Sequence, residues 1–170
     1  MNRASGFLGS AVMGVTLALS VVVPPGGHGG AGEAKGSLSH RGRVVTLTRA
    51  YLVTGPDTVD PRKMVRRIIL SGKDVGAKVR ACETMGCASD GVMEGLVVDL
   101  DGGPRLNYWM TINDQLVQHS GTKPPAVLKA GVDEPKRLAG KLSFDDTASL
   151  GPKVYVEFDA TLVKEFKAAR

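Results

Sequence analysis

An all-β domain, a small antiparallel sandwich or barrel of about seven or eight strands with one short helix, is the fold this sequence predicts. Three observations carry it. Apolar residues recur at every second position in several short segments, those segments are split at near-regular intervals by Gly, Pro, Asp and Asn, and only one stretch has helical spacing. The 170-residue length suits a single domain once the N-terminal region is set aside.

That region reads as a secretory signal. Arg3 precedes an uncharged run from Phe7 to Val23 that ends at Pro24-Pro25, giving a cationic start, an apolar centre and a helix breaker. The run is at the lower limit for spanning a bilayer, is diluted by glycine and serine, and is followed by no cationic stop-transfer cluster, so cleavage is expected over membrane anchoring. Residues 1–34 are assigned to the signal and its Gly-rich cleavage region, 35–42 to a flexible N-terminal segment, and 43–166 to the domain. Export places the mature chain in the periplasm or outside the cell, with no stable membrane insertion.

Strands are expected at Arg43–Val53, Met64–Leu70, Leu96–Leu100, Leu106–Ile112, Gln115–His119, Pro125–Lys129, Leu138–Phe144 and Val154–Leu162. The last has the sharpest alternation: Val154, Val156, Phe158, Ala160 and Leu162 share one face, and Tyr155, Glu157, Asp159 and Thr161 the other. It forms a hairpin with Leu138–Phe144. A second hairpin joins Leu96–Leu100 to Leu106–Ile112 through Asp101-Gly102-Gly103-Pro104. The helix is placed in Lys73–Met85, where Val75, Val79 and Cys82 fall on one face. Residues 166–170 read as a frayed end.

Net charge is +5, and removing residues 1–34 takes away one Arg and one Glu and leaves it unchanged. The charges are mixed, and the densest basic patch, Arg62–Arg67, reads as a solvated strand edge, so no nucleic-acid partner is expected. Cys82 and Cys87, with four residues between them in an exported chain, are expected to form a disulfide whose small ring fixes local shape. Thioredoxin-like chemistry would favour two intervening residues. The chain has no Gly-x-Ser-x-Gly elbow and few histidines, so an enzyme is not expected, nor is a cofactor. Metal binding is the alternative: His119 and Met85 are the lesser candidates, with Met64, Met93 and Met110 read as core filler. Asp99 and Asp101 lack the rest of a calcium loop and are read as turn residues.

On Leu106–Ile112 the odd-numbered Asn107, Trp109 and Thr111 should face away from the core. With Tyr155, the single tryptophan marks a partner-binding face, because an exposed Trp is a common contact hot spot. The segments Arg137–Asp146, Gly151–Ala160 and Leu47–Tyr51 together resemble a pattern in small exported proteins of Gram-negative bacteria that have no assigned activity. The resemblance implies a periplasmic β-sandwich and supplies no site residues. The expected function is therefore a non-enzymatic binding or interaction module of the cell envelope, with another envelope or secreted protein as partner and inhibition of that protein as one form of the role. A copper- or zinc-binding protein is the alternative.

Overall fold

In the computed structural model, residues 31–57, 59–90, 94–112 and 119–170 are described. The signal sequence and most of its glycine-rich region, including His28, lie outside them, as do Met93 and residues 115–118 of one expected strand.

Nine strands form one sheet: β1 (Gly32–His40), β2 (Arg43–Pro56), β3 (Met64–Ser71), β4 (Gly95–Asp99), β5 (Leu106–Thr111), β6 (His119–Lys123), β7 (Leu128–Glu134), β8 (Arg137–Asp145) and β9 (Lys153–Glu165). Their order is β6-β5-β4-β3-β2-β1-β9-β8-β7, and every pairing of neighbours in this order is antiparallel. Both expected hairpins are present, β4 with β5 and β8 with β9.

The two edge strands, β6 and β7, are consecutive in the chain and joined only by residues 124–127. Four residues span at most about 14 Å, whereas the edges of a flat nine-stranded sheet would stand about 38 Å apart. The sheet therefore has to curl. Beyond the start of β1 the longer β2 and β9 pair with each other directly and in parallel, Leu52 opposite Leu162 and Thr54 opposite Glu165. Side chains clasp what the ladder leaves open. Arg66 on β3 bonds Asp101 at 2.8 Å and reaches Asp133 on β7 at 2.5 Å. Tyr108 on β5 donates to Asp146, beyond the end of β8, at 3.0 Å, and Lys123 on β6 pairs with the same carboxylate.

The concave face gathers one core from eight strands, including Leu38, Leu47, Leu52, Ile68, Leu70, Leu96, Tyr108, Met110, Leu138, Leu142, Val156 and Phe158. The alternation expected for β5 and β9 holds: Leu106, Tyr108, Met110 and Ile112 point inward, as do Val154, Val156, Phe158 and Ala160. A second cluster lies on the convex face, where two short helices, α1 (Gly76–Ala81) and α2 (Met85–Asp90), cover Tyr51, Val53, Val65, Ile69 and Val97. This explains why β2, β3 and β4 contain unbroken apolar triplets: strands covered on both faces have no wet side to alternate with.

Five expectations are corrected. Residues 35–42 are not flexible: Gly32–His40 is a strand between β2 and β9, with Leu38 fully buried. Its turn at Arg41-Gly42, with φ of 49° and 78°, has the left-handed pair that a two-residue hairpin favours. The single helix is two, because the chain becomes extended at Cys82 (ψ 142°), although Val75, Val79 and Cys82 do share a buried face. The C-terminal end is pinned: the Phe166 N–H donates to Thr54 O at 2.7 Å, and Ala168 and Ala169 carbonyls accept from Met85 and Gly86. The basic patch is not an edge, since β3 is an interior strand; Arg66 and Arg67 are ion-paired, while Arg62, Lys63 and Met64, the last expected in the core, are exposed.

Candidate functional site

β3, β4 and β5 present Arg67, Asp99 and Trp109 side by side on the convex face. Strand register puts Arg67 opposite Asp99 and Val97 opposite Trp109. Arg67 is 2% exposed and bonds Asp99 as a fork, Nε to Oδ1 at 2.5 Å and Nη2 to Oδ2 at 3.0 Å. Its Nη1 donates to the Met85 carbonyl at 3.1 Å and to the Ser89 hydroxyl, both on α2. The guanidinium plane is 4.6 Å from the Trp109 ring centroid. One buried cation thus ties three strands to a helix and holds the indole.

α2 stays in place for three reasons. Met85 and Ala88 are buried in the convex cluster, the C-terminal tail bonds its first turn, and the Cys82–Cys87 disulfide bridges its start to the end of α1 with a Cα separation of 5.5 Å. At the end of α1, Lys164 on β9 donates to the Arg80 and Cys82 carbonyls. At its start, the Tyr51 hydroxyl donates to Asp74 at 2.8 Å and accepts from the Val75 N–H at 2.9 Å. Burial and the bond to Asp74 push the Tyr51 phenol up to about 12.

Between α2, the tail and β5 lies a cleft of about 590 Å³ whose lining includes Arg67, Thr84, Cys87, Asp90, Trp109 and Arg170. It has an aromatic wall, hydroxyl and charged groups on its rim, and a disulfide-fixed edge. That suits capture of a ring or an apolar side chain flanked by polar groups.

The expected partner face is not one surface. Trp109 is half-buried against Arg67 and Thr111 is buried, while Asn107 is exposed. Tyr155, 52% exposed, is on β9, five strand steps from β5 and so about 24 Å away along the sheet. Tyr155 instead joins the Lys141–Glu157 pair, donating to Glu157 at 3.3 Å.

His119 and Met85 are separated by the sheet itself. Met85 is buried on the convex side, and His119, opposite Met110 in the ladder, stacks on Tyr108 on the concave side. No group of three His, Cys, Asp or Glu side chains suited to a metal occurs among the described residues. The fold does bring His40 to His119, ring centroids 5.7 Å apart. Asp99 and Asp101 each pair with an arginine; Asp99, expected in a turn, is instead the buried last residue of β4.

Ser89 was not singled out by sequence, and neither was the pairing of Arg67 with Asp99 behind the cleft wall. The sign available was an arginine adjacent to an apolar triplet, a position in which a charge must find a partner.

Comparison with protein-family models, with curated proteins and with solved structures finds no match to this chain. Among the described residues, no helix is long and apolar enough to cross a membrane.

Proposed function

We propose that this protein is an exported, non-enzymatic binding module of the cell envelope, and that it recognises its partner through the cleft between α2 and β5. The partner is another envelope or secreted protein, which inserts an aromatic or apolar side chain against Trp109. The observation that carries this reading is the half-buried Trp109, held by Arg67 in the wall of a cleft with a fixed rim. A tryptophan serving only the core would be buried; here its free side meets the cleft, the setting in which Trp supplies contact energy. Support for export comes from the N-terminal pattern of Arg3 and the Phe7–Val23 run and from the disulfide, a bond that persists in oxidising compartments.

The test is capture from envelope extract. Trp109→Ala should keep the wild-type circular dichroism spectrum and lose the partner that the wild-type chain retains. Equal capture by the two chains would remove the cleft from the reading.

A further inference from the structure

We infer that His40 and His119 form a binding site for a single divalent transition-metal ion, Cu²⁺ in preference to Zn²⁺, on the concave side of the sheet. The two residues are 79 positions apart, and the curl of the sheet brings them together: His40 ends β1, an interior strand, and His119 begins β6, an edge strand.

His40 is 7% exposed, and its Nδ1 is buried without a hydrogen-bond partner. A buried imidazole nitrogen left unpaired is destabilising, and a neutral imidazole nitrogen is also a metal ligand. The neighbouring ring is His119, at a centroid distance of 5.7 Å. With metal–nitrogen bonds of about 2.0–2.1 Å, two imidazoles sharing one ion place their centroids about 5–6.5 Å apart. The observed spacing needs no large movement.

Space and charge agree with this. His119 Nε2 lies against Gly151, where a Cβ would stand 3.3 Å from it, so any side chain at 151 would crowd that nitrogen. His119 is held by stacking on Tyr108, whose hydroxyl bonds Asp146. Lys123, on the same strand as His119, is paired with that carboxylate, which offsets its charge. Two imidazoles, with water completing the shell, favour Cu²⁺ over Zn²⁺ by the usual order of divalent affinities.

The experiment is titration of the full chain with CuCl₂ and, separately, ZnCl₂, followed by calorimetry and electron paramagnetic resonance. One Cu²⁺ per chain should bind, with superhyperfine splitting from two imidazole nitrogens and at least tenfold tighter than Zn²⁺. His119→Gln should weaken Cu²⁺ at least tenfold while His28→Ala leaves it unchanged. The nitrogen count on the wild-type chain needs no variant to fold. No saturable binding, a spectrum without two imidazole nitrogens, or affinity lost with His28→Ala but kept with His119→Gln would overturn the inference.

Discussion

Arg67 shows how one side chain can tie three strands to a helix and hold Trp109 in the wall of the cleft. Its guanidinium is satisfied by Asp99, a carbonyl and a hydroxyl, all within a site from which water is nearly excluded. Removing one member of a buried pair leaves the other charge unpaired, which costs about 3–5 kcal/mol. Arg67→Met should therefore lower unfolding free energy by that amount in urea titration, and adding Asp99→Leu should return much of it, because two apolar groups replace the pair without orphaning either. Tyr51 gives a second prediction. Its phenol ionises at about 12 in the fold against about 10 in the unfolded chain, so the unfolded state gives up its proton first as pH rises. The stability Tyr51 contributes is intact below pH 10 and is lost between about 10 and 12. Tyr51→Phe should flatten that decline in alkaline melts followed by far-ultraviolet circular dichroism. These residues were hidden in the sequence for one reason: Arg67 and Asp99 are 32 positions apart and Tyr51 and Asp74 are 23 apart, and no local spacing encodes such pairs.

At the scale of elements, legibility followed burial. Strands with one wet face, β5 and β9, announce themselves by alternation, and their inward residues were read correctly. β1 is Gly-Glu-Ala-Lys-Gly-Ser-Leu-Ser-His, with Leu38 as its one large aliphatic, so its apolar pattern is nearly empty. Its place is set instead by its neighbours: a Cβ at Gly36 would meet the Tyr155 carbonyl at 2.1 Å, a closeness only glycine permits. The helical segment showed its buried face but not its break, since the extended backbone at Cys82 serves the disulfide and the tail that packs on α2. The ring closed by that disulfide is short, and its loss should cost less than the roughly 3 kcal/mol of a 15-residue loop. Replacing Cys82 and Cys87 by serine should lower the denaturation midpoint modestly while increasing amide hydrogen exchange in Met85–Asp90 more than in β2 or β9.

For the whole molecule, the curl is the organising fact. It follows from placing both sheet edges on either side of a four-residue connection, and it yields two environments from one sheet: a concave core that brings His40 beside His119, and a convex face closed by two helices over Trp109. An all-β class was readable from local periodicity. The order of the strands, and hence which distant side chains meet, was not, because it depends on long-range pairings such as β1 with β9. The central claim is that the convex cleft is where a partner binds. Asp90 lies exposed on its rim, and Lys129 on β7 lies exposed outside its lining. A photoreactive phenylalanine analogue in place of Asp90, activated in the native cell, tests the claim most directly. A discrete adduct from position 90, absent from position 129 and abolished by Trp109→Ala in a chain that still folds, is the result expected. An adduct that survives Trp109→Ala, or none from position 90, would contradict it.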